Sequence, residues 1–299
     1  MVFATVTAGF LAEDVGEDFE PRSALYHTPE EAEAQALTQI KLYEGWEERG
    51  RVRLLRSVND LDRHLRLWQH DRKPGLVMLM EGADPIVHVR DLPIWWQRGL
   101  RMIGLTFGDT SYGTGVAGGS PTFTRGGLTS EGLRLLGQMA ELGFIWDISH
   151  LAEEGVWQGL ELDFPRVCAS HATARALTPT DRHLSDEVIR AVAERGGVIG
   201  LMLYNGFLEP GLKGDQSVSV TLDEHLRRHA NYIANLSGWK HLGVGSDLDG
   251  GFGLEESPLE IDTVADLYKV GLVVPAQARE AVLSTNWLDF LRASLPQTS

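Results

Sequence analysis

The chain has one cysteine, Cys168, in 299 residues, so no intrachain disulfide can form, which fits a reducing compartment. Cys168 sits in the apolar run Val167-Cys168-Ala169 and reads as a small buried strand residue, not as a nucleophile. No apolar run approaches the roughly 18 residues that a membrane span needs. The first twelve residues are apolar but lack a basic lead-in and meet Glu13 and Asp14 at once, so they read as a strand and not as a secretion signal. Positive charge is scarce: 27 Lys and Arg stand against 42 Asp and Glu, a formal net charge of -15. An acidic surface repels phosphate backbones and anionic lipid, which argues against nucleic-acid or membrane partners. No serine stands in a Gly-x-Ser-x-Gly frame. The Gly-rich stretch 113–127 lacks the Lys-Ser/Thr ending and strand–helix framing of a nucleotide loop. These absences predict a soluble, cytoplasmic protein.

What is present is material for a large core. Hydrophobic residues make up 43% and charged residues 23%, and the length suits one α/β barrel, which needs about 250 residues. Short apolar runs at 2–7, 76–80, 102–107, 144–149, 166–170, 198–204 and 242–246 hardly alternate, as expected of strands buried on both faces. Helical patterns lie between them at 30–48, 60–70, 130–142, 152–160, 186–195, 222–236, 263–270 and 275–283. Thr28-Pro29 starts the first of these, and Gly143 stops the helix at 130–142. Repeated βα units predict a parallel sheet under helical cover, in a single barrel domain over 1–299. Seven strands are counted where a closed barrel of this type has eight. The stretch 113–127 is the best candidate for a long loop on the active face.

Glu81, His150, His171 and Asp247 each follow an apolar run directly. In a parallel barrel such positions share the C-terminal rim, where catalytic groups gather. Two imidazoles and two carboxylates suit zinc or a similar divalent ion. Each residue alone also has a plain reading: His150 as a cap for the next helix, Glu81 as the close of a turn before Gly82, Asp247 as a cap or turn residue with Asp249. The remaining histidines, at 27, 64, 70, 88, 183, 225, 229 and 241, lie in helical or loop contexts and read mostly as surface residues. Trp95-Trp96 read as packing a helix against the sheet.

Ordered motifs then resemble the membrane (renal) dipeptidase family of metallopeptidases. They are Met80-Glu81-Gly82-Ala83-Asp84-Pro85, Gly104-Leu105-Thr106, Trp146-Asp147-Ile148-Ser149-His150-Leu151, Ser170-His171-Ala172-Thr173-Ala174-Arg175, Asp181-Arg182-His183-Leu184, and Gly245-Ser246-Asp247-Leu248-Asp249-Gly250. The resemblance implies an α/β barrel of the metal-dependent hydrolase type, often dimeric, with two zinc ions, acting on dipeptides through a metal-activated water. It implies that Glu81 bridges the metals, that His150 and His171 bind the second metal, and that Asp247 is the acid/base. It further implies that Arg182 clamps the substrate carboxylate and that Tyr204 contacts substrate.

Two departures stand out. The family's first metal is held by a His-x-Asp pair ending its first strand, and no such pair precedes Glu81 here. Residues 2–7 resemble the second strand, so the chain is expected to open after strand one and to hold one zinc or none. Phe107 stands where the family often has a substrate-facing histidine. Two readings follow: a metal-dependent dipeptidase, or a catalytically impaired barrel serving as a binding or scaffold protein.

Overall fold

The computed structural model describes residues 2–7, 26–118, 123–212 and 219–298. The Glu13-Asp14 pair and residues 119–122 of the Gly-rich stretch lie outside these. Backbone contacts divide the chain into two units: Met1–Gly118 with Arg125–Arg166 and Leu291–Ser299, and Gly119–Thr124 with Val167–Phe290.

The first unit holds β1 (Val2–Thr7), β2 (Arg53–Leu54), β3 (Gly75–Glu81), β4 (Leu100–Gly104) and β5 (Ile145–Asp147). They run parallel in the order β1-β3-β4-β5, with the short β2 also paired to β3. Side chains from Gly75 to Met80 are all buried, which is why the run carries no polar alternation. The helices of this unit are α1 (Pro29–Glu48), α2 (Val58–Asp71), α3 (Leu92–Gln97), α4 (Ser130–Leu142) and α5 (Glu153–Glu161). Side-chain caps open three of them. Thr28 accepts from the Glu31 amide at 3.3 Å, Ser57 from Asp60 at 3.2 Å, and Thr129 from Gly132 at 3.0 Å. Gly143 ends α4 at φ 99°, a left-handed geometry that glycine adopts without penalty. The Trp pair packs as expected: Trp95 is buried, and Trp96 meets Phe144 edge-on at 4.9 Å and stacks under the Arg101 guanidinium.

The second unit holds β6 (Val167–Ala172), β7 (Ile199–Leu201) and β8 (Leu242–Val244), parallel in that order, with α6 (Asp186–Glu194), α7 (Asn205–Leu208) and α8 (Arg227–Ser237). A Cβ on Gly200 would strike the Ser170 carbonyl, and Gly200 and Gly245 face each other across the strands with no room for side chains. Two glycines therefore draw the ends of β6, β7 and β8 close together. Asn286, opening α9 (Asn286–Ser294), donates to the Leu242 carbonyl at 2.6 Å, and Trp287 donates to Val244 at 3.1 Å.

The structure adds elements that patterning misses. β2 is two residues long, too short to show a period, and brings the described strands to eight. The helix at 222–236 opens with a wide π turn at Leu222–Leu226, and the segments at 263–270 and 275–283 wind as 3₁₀ and π turns. Helix-like spacing in the sequence does not distinguish these windings from an α-helix. Cys168 is buried, as expected.

Candidate functional site

In the first unit, Glu81 ends β3 and His150 follows β5 by three residues. A local turn aims His150: the Ser149 hydroxyl and amide both donate to Asp147 Oδ1, at 2.6 and 3.1 Å. The Thr106 hydroxyl and the Val116 amide both donate to the His150 carbonyl at 2.8 Å. The ring is held as firmly. Its Nδ1 lies 3.0 Å from the Val116 carbonyl, and Phe107 tilts against it at 4.6 Å. A carbonyl only accepts, so Nδ1 carries the proton and donates. That leaves Nε2 directed at Glu81 Oε1, 3.2 Å away. A neutral Nε2 and a carboxylate oxygen are both acceptors, so their approach requires a cation or a second proton between them. Fixing the ring by a backbone carbonyl on one nitrogen is the usual support for a metal-binding histidine. The donor chemistry thus fits a divalent metal.

In the second unit, His171 lies near the end of β6. Its Nδ1 is 2.7 Å from the Ser170 hydroxyl, and its Nε2 is 3.9 Å from Asp247 Oδ2. Asp247 and Asp249 adopt left-handed φ of 57° and 67°, uncommon for residues with a Cβ. Such local strain recurs where a loop is shaped for function. The Leu203 amide donates to the Ser246 carbonyl at 3.3 Å, so Tyr204 and Asp247 leave β7 and β8 side by side. Arg182 is buried, donates to the His171 carbonyl at 3.3 Å and lies 5.6 Å from the Phe207 ring. Its backbone segment is tied down: Leu184 donates to Thr173 at 3.1 Å, and Arg175 to Leu184 at 2.9 Å.

The structure therefore brings Glu81 to His150, His171 to Asp247, Arg182 to the backbone of His171, and Tyr204 to the side of Asp247. The Tyr204 hydroxyl is pushed up to about 12 by burial and by the nearby Glu256 carboxylate, so it stays protonated as a donor.

The histidines read as surface residues need correcting. His64, His183, His225, His229 and His241 are buried. Helical and loop contexts hide this, because a histidine on an inward helix face looks the same in sequence as one facing water. Two of them frame the Arg182 segment. His183 Nδ1 lies 2.5 Å from the Thr173 hydroxyl, with its ring edge-on to Phe207 at 4.8 Å. The Ala174 amide donates to His229 Nδ1, and His229 Nε2 donates to the Leu208 carbonyl, both at 3.2 Å. Burial pushes both below the usual histidine range, His229 down to about 4. Phe252 and Glu256, beside Tyr204, also escaped notice, since they lie in a loop with no periodic signal.

Comparison with known proteins identifies the family. The family model for membrane dipeptidase, peptidase family M19, matches residues 6–272. An uncharacterized protein from the pqqA 5′ region of Klebsiella pneumoniae is 32% identical over 253 residues, covering 81% of this chain and 89% of that protein. An uncharacterized dipeptidase of Schizosaccharomyces pombe is 28% identical over 202 residues, covering 66% of this chain and 46% of that protein. Among solved structures, a Rhodobacter sphaeroides metallopeptidase liganded with a phosphinate mimic of the dipeptide L-Ala-D-Ala superposes with a TM-score of 0.78. It is 28% identical, and the match covers 89% of this chain and 76% of that one. Among the described residues no helix is long and apolar enough to cross a membrane. A parallel α/β fold of the metal-dependent hydrolase type, a histidine–carboxylate site at its strand ends and a match over residues 6–272 lead to one conclusion: the chain belongs to the membrane dipeptidase family, peptidase family M19, and is a metallo-dipeptidase by class.

Proposed function

We propose that the chain hydrolyses the peptide bond of dipeptides, with Glu81, His150 and His171 holding a zinc ion. Within the first unit Glu81 and His150 are brought together, and the family match supports His171 as a further ligand. The observation that carries the reading is the 3.2 Å approach of His150 Nε2 to Glu81, two acceptors that need a cation or a proton between them. A zinc ion held there would supply polarisation of the scissile carbonyl and a lowered pKa for water. Asp247, next to His171, accepts a proton from the attacking water and passes it to the leaving amine. Arg182 presents a planar guanidinium suited to a free carboxylate, which favours short peptides with open ends. Tyr204, protonated beside Asp247, donates a hydrogen bond to substrate.

The test is metal content by elemental analysis together with hydrolysis of a dipeptide panel in added zinc, for the wild type and Asp247→Asn. Bound metal with turnover, and turnover lowered about 10²- to 10⁴-fold in Asp247→Asn, is the expected result. Absence of both metal and turnover in the wild type refutes it.

A further inference from the structure

Against the Tyr204 hydroxyl stands a carboxylate that the proposed reaction does not use. Glu256 is half-buried in the loop that follows β8, and the Tyr204 hydroxyl lies 3.4 Å from its Oε1. Phe252, from the same loop, tilts against the Tyr204 ring at 5.1 Å. The loop is fastened to the strand end that carries Tyr204, since Asn205 Nδ2 donates to the Ser257 carbonyl at 3.0 Å. Among the described residues no lysine, arginine or histidine pairs with Glu256, and its near charged neighbour is Glu255. A partly buried carboxylate without a counter-ion is costly. Burial and Glu255 accordingly push its pKa up. Two aromatic faces and one acceptor group recognise a positive charge: rings attract a cation electrostatically, and the carboxylate makes a charge-assisted hydrogen bond.

We propose that Tyr204, Phe252 and Glu256 form a subsite for a cationic side chain of the substrate, with Glu256 as the residue that sets this specificity. The inference rests on the dipeptidase reading, which puts the reacting centre at Asp247, and it adds a substrate class: dipeptides with a lysine-like residue.

The test compares matched peptides that differ in one charge, Gly-Lys against Gly-norleucine and Lys-Gly against norleucine-Gly. Binding is measured by calorimetry in chelator, where no turnover interferes. The expected result is a lysyl preference of roughly tenfold in at least one pair, falling to near parity in Glu256→Gln. Equal binding of both pairs by the wild type overturns the subsite. So does a lysyl preference that survives both Glu256→Gln and Phe252→Leu in folded protein. Turnover is scored separately in zinc. A lysyl preference without turnover supports the subsite and counts against the hydrolytic reading, whereas turnover without a lysyl preference overturns the subsite alone.

Discussion

Two pairs of buried histidines show how the same side chain is put to different uses. His150 and His171 sit at strand ends, each with Nδ1 beside a nearby oxygen and Nε2 turned to a carboxylate. His183, next to Arg182, and His229, on α8, are enclosed by backbone groups, a threonine and phenylalanine, and among the described residues no carboxylate lies against their rings. The first pair faces carboxylates, the arrangement that the proposed metal site uses. The second pair is built to stay neutral, since burial penalises its protonated form. What separates a ligand from a structural histidine here is the group facing the second nitrogen.

The sharpest way to break this comparison is to remove the strand-end pair. His150→Ala combined with His171→Ala is expected to abolish metal binding, as read by elemental analysis after dialysis. Full metal stoichiometry in the double variant would show that the assignment of roles is wrong. Next in size is the acid response of the neutral pair. The folded pKa of His229 is depressed to about 4, so the unfolded chain binds more protons between there and 6.5. Stability from this group is complete above about pH 6.5 and is lost as pH falls toward 4, by about 3 kcal/mol in total. Urea unfolding across that range checks it: His229→Gln should flatten the pH slope and leave metal content unchanged. A smaller effect is expected of Thr173→Val, which removes the hydroxyl beside His183. The loss should be about 1 kcal/mol in urea unfolding, with a KM increase larger than any change in kcat if the Arg182 segment loosens.

Much of this was legible from particular residues. A strand buried on both faces is largely apolar, so metal-competent side chains at its end mark the rim, and Glu81, His150, His171 and Asp247 all lie within three residues of a strand end. The caps at Thr28 and Thr129 and the stop at Gly143 are likewise local, because each is decided by one side chain and its neighbouring amides. Other features were not legible. β2 has two residues and no period. The π turn at Leu222–Leu226 differs from an α-helix in hydrogen-bond register and not in composition. Glu256 reads as a loop acid until the Tyr204 hydroxyl is seen against it.

The sequence by itself determined the parallel α/β class, the order of strands and helices, and the identity of the residues at the strand ends, because burial on two faces and capping are properties of neighbours along the chain. The tertiary structure alone decided which nitrogen of His150 and His171 faces a carboxylate, that burial favours the neutral form of His183 and His229, and that Glu256 lies against the Tyr204 hydroxyl. Those depend on desolvation and on contacts between residues far apart in the chain, as His229 with Ala174 or Tyr204 with Glu256, and no local pattern encodes them.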